Sequence, residues 1–92
     1  MKVIVEYLLR FREIVGKESE VLSLDKEVTI GQLLRILQER YGEQFKEEFY
    51  NPSGDQVGGN ILILLNGKTA TNLNIRLKDG DRVTLTYVAF GG

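Results

Sequence analysis

The residues best placed to do chemistry in this chain stand at its last positions, Ala89-Phe90-Gly91-Gly92, directly after an alternating apolar stretch. Read as the true end of the protein, Gly92 offers a free carboxylate on a thin stalk. Glycine has no side chain and weak backbone preferences, so Gly91 and Gly92 suit a tail threaded through a narrow slot into another protein. A carboxylate is inert until activated, typically by adenylation with ATP, and that activation needs a partner. A frayed terminus is the alternative. The placement, just beyond a stretch that reads as a buried strand, argues against it.

Little else in the sequence competes. The 92 residues contain no cysteine and no histidine. A catalytic thiol, a disulfide framework, a thiolate metal site and any Ser/His/Asp or Cys/His arrangement are therefore excluded, along with the usual proton shuttle. Neither a Walker loop nor Gly-x-Gly-x-x-Gly occurs, so ATP must be held by the partner. Asp79-Gly80-Asp81 lacks the full ligand spacing of a calcium loop and reads as a turn. Glu43, Glu47 and Glu48 read as a solvated helix face, and Gly58-Gly59 as part of a loop. No metal site and no bound cofactor are expected.

Length and composition fit one domain with a core of its own. Twelve basic and thirteen acidic residues give a net charge of −1, without the basic face a nucleic-acid module shows. The longest apolar run, Ile61 to Leu65, has strand length, far below a membrane span. The N-terminus lacks a signal-peptide pattern. The chain reads as soluble and cytoplasmic, with neither nucleic acid nor membrane as a partner.

The elements that must position the tail are legible from periodicity. Lys2 to Leu8 reads as a strand, with Val3, Val5 and Tyr7 on one face and Ile4 on the other. Leu9 to Val15 reads as a short helical turn closed by Gly16, and Ser19 to Leu24 as a second strand antiparallel to the first. The main helix opens on a Thr29-x-x-Gln32 capping box, with Val28 and Leu33 as a hydrophobic staple. Ile30, Leu33, Leu34, Leu37 and Tyr41 form its apolar stripe, and Gly42 is expected to stop it in the left-handed conformation. Glu43 to Phe49 reads as a further helical turn with Phe45 and Phe49 on one side.

Asn51 to Asn60 has loop composition and is long for a compact domain. Ile61 to Leu65 reads as a buried strand, Asn66-Gly67 as a hairpin turn, and Lys68 to Ala70 as a short strand. Leu77 to Asp81 is a tight turn. Arg82 to Val88 is the last strand, with Val83, Leu85 and Tyr87 buried and Arg82, Thr84 and Thr86 wet. The expected class is α+β, a mixed sheet of four or five strands packed on one main helix, with first and last strands paired in the middle. The domain would span residues 1–88, with 89–92 as a flexible tail.

Three local patterns resemble the ubiquitin-like β-grasp sulfur carriers, which comprise the small subunit of molybdopterin synthase, its thiamine-pathway relative and the archaeal small modifier proteins. They are Phe11-Arg12-Glu13-Ile14-Val15-Gly16 after the first strand, Leu65-Asn66-Gly67-Lys68, and Leu77-x-Asp79-Gly80-Asp81-Arg82-Val83 followed by Gly91-Gly92. The resemblance implies that an activating enzyme adenylates Gly92 and that sulfur transfer makes it a thiocarboxylate. The tail then delivers sulfur to an acceptor, such as a molybdopterin synthase large subunit, or in the modifier branch forms an isopeptide bond to a lysine. On that reading Gly92 is the reactive terminus and Gly91 its slim neighbour. Phe90, Ala89 and Val88, joined by Leu8, form the surface a partner recognises. The stretch Tyr87-Val88-Ala89-Phe90 lacks the prolines common in the molybdopterin branch, carries Phe90 where a small residue is usual and has Thr86 where an apolar residue is frequent. Carrier, modifier and plain interaction domain therefore all stay open.

Overall fold

The computed structural model describes residues 1–49 and 60–88. Its elements run β1 (Lys2–Tyr7), α1 (Arg10–Val15), β2 (Ser19–Ser23), α2 (Ile30–Tyr41), α3 (Glu43–Glu48), β3 (Ile61–Leu65), β4 (Lys68–Thr69) and β5 (Arg82–Tyr87). The five strands form one sheet in the order β2-β1-β5-β3-β4. Pairing is antiparallel throughout except between β1 and β5, the first and last strands, which run parallel side by side at the centre. The expected mixed α+β sheet with a central first-and-last pair is therefore the observed one.

The turn before β5 explains how two strands so distant in sequence find their register. Asp81 closes the turn on itself, its backbone N–H donating to Lys78 O at 3.0 Å and its carboxylate accepting from Lys78 N–H at 2.7 Å. The same turn clasps the start of β1. Lys2 N–H donates to Asp79 Oδ1 and Gly80 N–H donates to Lys2 O, both at 2.7 Å. The Asp-Gly-Asp pattern is thus a clamp that places Ile4 opposite Arg82 and Tyr7 opposite Leu85.

Inward-facing residues of the sheet, Val3, Val5, Tyr7, Ile63, Val83 and Leu85, meet Ile30, Leu33, Leu34 and Leu37 of α2, and all are buried. The helix begins as its sequence dictates. Thr29 Oγ1 accepts from Gln32 N–H at 3.1 Å, and Gln32 Oε1 accepts from Thr29 N–H at 2.8 Å, a reciprocal capping box. Two further first-turn N–H groups, of Ile30 and Gly31, donate to the carbonyls of Ile75 and Leu73, so the helix start is not left with orphan donors. Val28 and Leu33 both lie in the core.

Glycines sit where the backbone demands them, with one correction. Gly16 caps α1 in the left-handed conformation, φ 79° and ψ 16°. Asn66 and Gly67 both have positive φ, the requirement of the two-residue turn that joins β3 to β4. Gly42 differs from expectation. Its φ of 84° comes with ψ of −161°, an extended mirror region that only glycine enters cheaply. It ends α2 after Tyr41, as expected, and turns the chain into α3, which brings Phe45 and Phe49 onto Phe11.

The last strand also departs from the expected alternation. Thr84 and Thr86 are buried at 4% and 8% exposure rather than wet. The reason is position: β5 is the middle strand, and long side chains of its neighbours lie beside the threonines. Thr84 lies between Glu6 and Leu64 and donates its hydroxyl to Glu6 Oε1 at 3.1 Å. Thr86 lies opposite Leu62.

Candidate functional site

The tail expected to carry the chemistry, Ala89, Phe90, Gly91 and Gly92, lies outside the described residues, as does the loop over 51–59 with Gly58-Gly59. What the structure gives is the platform from which the tail departs. At the end of β5, Tyr87 stacks on Phe11, with ring centroids 5.1 Å apart and planes 18° from parallel. Its hydroxyl donates to Glu48 Oε1. The other oxygen of Glu48 accepts from Arg10 Nε at 2.9 Å. One carboxylate therefore ties the last strand to both α1 and α3.

The electrostatics follow from that arrangement. Burial alone would raise the Glu48 carboxyl, but the hydrogen bonds from Tyr87 and Arg10 outweigh it and hold the group below its ordinary value. Burial, reinforced by the neighbouring carboxylate, pushes the Tyr87 phenol upward, so it remains a donor across the physiological range. Glu48 is thus an anchor rather than part of a solvated face, whereas Glu43 and Glu47 are exposed. Its sequence neighbours gave no sign of this, because the tyrosine it serves lies 39 residues away.

Of the residues expected to meet a partner, Val88 is 41% exposed, and its N–H donates to Asn60 O at 2.8 Å. Leu8 is half-buried, its N–H donating to Leu85 O at 3.0 Å. The helix that was expected to start at Leu9 starts at Arg10, leaving Leu9 as the residue before it, with positive φ and 64% exposed. Nothing in the sequence pattern singled it out. On the sheet face turned away from α2, Leu62 and Leu64 are half-buried and stand outside the core cluster. The register puts them beside Thr86 and Thr84. Leu8, Leu62, Leu64 and Val88 thus share one open face that runs up to the root of the tail.

No resident chemistry competes with that corner in what the structure describes. Among the described residues no group of three or more His, Cys, Asp or Glu side chains is arranged to hold a metal ion. A surface depression beside α2 and α3 is lined by Arg35, Gln38, Glu39, Glu43 and Lys46, charges of both signs without a nucleophile. No helix among the described residues is long and apolar enough to cross a membrane.

The central parallel pair, the flanking antiparallel strands and the single long helix define a ubiquitin-like β-grasp domain. The profile of the ThiS family matches residues 5–92, nearly the whole chain, and the protein belongs to that family of ubiquitin-like sulfur carriers. Solved structures agree. A putative molybdopterin converting factor subunit 1 from Pyrococcus furiosus is 30% identical, with 96% of this chain and 98% of that one covered and a TM-score of 0.74. A complex of subunits 1 and 2 of molybdopterin-converting factor from Helicobacter pylori 26695 contains a chain 29% identical, covered completely in both directions, with a TM-score of 0.65. Small archaeal modifier protein 1 of Haloferax volcanii, at 19% identity over 96% of this chain and 98% of that one, shares the fold with a TM-score of 0.80. Among curated proteins no match was found.

Proposed function

We propose that this protein is a sulfur carrier whose C-terminal carboxylate, on Gly92, is adenylated and then converted to a thiocarboxylate. The observation that carries the reading is the firmly held end of β5. The strand is fixed through Tyr87 by sheet pairing, ring stacking and the Glu48 hydrogen bond, and the sequence then runs on to Gly91-Gly92. On this reading residues 1–88 are the domain and 89–92 its flexible tail, the arrangement a carried co-substrate needs.

The chemistry belongs to partners. One Gly92 carboxylate oxygen attacks the α-phosphorus of ATP in an activating enzyme, and pyrophosphate leaves with the bonding pair. A donor at the oxidation level of sulfide then attacks the acyl carbon, AMP departs, and one oxygen has been exchanged for sulfur. The chain supplies the carboxylate, the slim Gly91 that lets it enter a channel, and a recognition face. We assign that face to Leu8, Val88, Ala89 and Phe90, extended by Leu62 and Leu64. Family membership and the likeness to a molybdopterin-converting factor subunit favour molybdopterin synthesis as the pathway, with this chain as the small subunit and a large subunit as the acceptor.

A second reading is a modifier attached to lysines through Gly92. It is favoured by the proline-free tail with its bulky Phe90 and by the fold shared with an archaeal modifier. Mass spectrometry of protein from its own cells separates the two. A carrier shows a C-terminal fragment with one oxygen replaced by sulfur, whereas a modifier leaves a diglycine remnant on target lysines. If neither species is found and deleting Gly91-Gly92 alters no phenotype, the chain is a plain interaction domain.

A further inference from the structure

Among the described residues, positive φ occurs at Gly16, Gly42, Gly67, Gly80, Asn66 and Leu9. The first four are glycine, and Asn66 occupies a hairpin turn that favours asparagine. The fold thus uses the residue its backbone asks for at every such position except one. Leu9, at φ 54° and ψ −126°, is outside even the left-handed helical well, where a branched, bulky residue is a genuine outlier. Local structure does not call for its side chain either. It makes no capping hydrogen bond for α1, and at 64% exposure it contributes nothing to the core. A glycine would carry the same path with less strain. What the leucine adds is an apolar knob in solvent, and strain of this kind points towards function.

Its place says what meets it. Leu9 follows Leu8, whose N–H donates to Leu85 O at 3.0 Å just past the last paired residues, Tyr7 and Leu85. It therefore stands at the end of the sheet where β5 runs on to exposed Val88. Any protein that takes in the residues after Val88 passes over this corner. We propose that Leu9 is a recognition anchor that seats in an apolar pocket of the enzyme that adenylates the C-terminus. This rests on the reading of Gly92 as the activated group, and both the carrier and the modifier readings need that enzyme first. A large, rigidly held apolar side chain entering a desolvated pocket is the kind of contact on which binding concentrates.

The experiment compares full-length wild type, Leu9→Gly and Leu9→Ala in carrier-dependent ATP–pyrophosphate exchange with the activating enzyme from the same cells, alongside thermal unfolding. Both variants should raise the KM for the carrier about tenfold or more with kcat little changed. Leu9→Gly, which relieves the backbone, should also raise the unfolding midpoint by about 4 °C or more, and Leu9→Ala should not. A variant that is more stable and yet a poorer substrate cannot be explained by misfolding. If wild type supports exchange and both variants match its KM, the anchor role is overturned while the carrier reading stands. A wild-type dimer abolished by Leu9→Ala, with KM unchanged, also overturns it, since a second copy would then be what covers the leucine. If wild type supports no exchange at all, the carrier reading itself fails and the anchor with it.

Discussion

Two clusters built from the same chemistry stand at either end of one run of aromatic rings, from Tyr7 and Tyr41 through Phe45 and Phe11 to Tyr87. In one, Tyr7 and Tyr41 both donate to Glu20, which also accepts from Lys17 at 3.2 Å and Arg40 at 3.4 Å. In the other, Tyr87 and Arg10 share Glu48. The first knits β1, β2 and α2, with its carboxylate on the edge strand β2, two strands from β5. The second fastens the end of β5 where the tail begins. A tyrosine–carboxylate pair is therefore not itself a mark of function here; its position is. The Glu20 cluster sustains the scaffold, and the Glu48 cluster fastens the end of β5.

Substitutions can break or sharpen that contrast. The largest effect is expected from Phe11→Ala. Phe11 is fully buried and packs on Phe45, Phe49 and Tyr87, so its removal should cost about 3–5 kcal/mol in urea unfolding. The tail-side cluster should loosen before the other. Amide exchange at Val88, whose N–H is held by Asn60 O, should then quicken more than exchange at β2.

Next comes Glu20→Ala. It leaves the Tyr7 hydroxyl without its carboxylate partner and should cost about 2–3 kcal/mol, with exchange at Val88 no faster than the global loss of stability requires. Glu48→Gln should cost less, about 1–2 kcal/mol, and should speed Val88 exchange beyond that loss. Equal effects of the two substitutions at Val88 would erase the distinction between scaffold and root. Arg10→Ala should give the smallest change, because Arg10 is half exposed, and added salt should shrink it further.

Acid provides another comparison. Burial acts to raise Glu20, and the hydrogen bonds from Tyr41, Tyr7 and Lys17 more than reverse it, so its folded pKa lies below the ordinary 4.5. Glu48 is lowered likewise. A carboxyl lowered on folding stabilises fully above its unfolded value, and that contribution disappears as pH falls through the folded one. Stability should therefore hold at neutral pH and decline from about pH 4.5 downward. Glu20→Gln should flatten that decline, as measured by urea midpoints across the range.

Much of the fold was legible because local rules and tertiary structure agree. The Thr29–Gln32 box, the Asn66-Gly67 turn and the α2 stripe each follow from a few neighbouring residues, and all appear as read. The departures share a cause. Thr84 and Thr86 are dry because β5 is the middle strand, which periodicity within the strand cannot reveal. Gly42 ends α2 as read, but in an extended mirror conformation, because the chain must turn there to bring Phe45 and Phe49 onto Phe11. Glu48 looked solvated because its partner tyrosine is remote. At the candidate site, Val88 was readable as an exposed residue beside the tail. Leu9 was not, since only backbone geometry separates an outward, strained leucine from the first residue of a helix.

The central pairing of β1 with β5 has one more consequence. The hydrogen bond from Thr84 to Glu6 joins residues 78 positions apart, and such non-local contacts form late because a long loop must close first. During synthesis the helix and the outer hairpin can assemble early, but the middle of the sheet waits for the final strand to emerge. Any partner that reads the finished sheet would therefore overlook copies in which β5 has yet to pair.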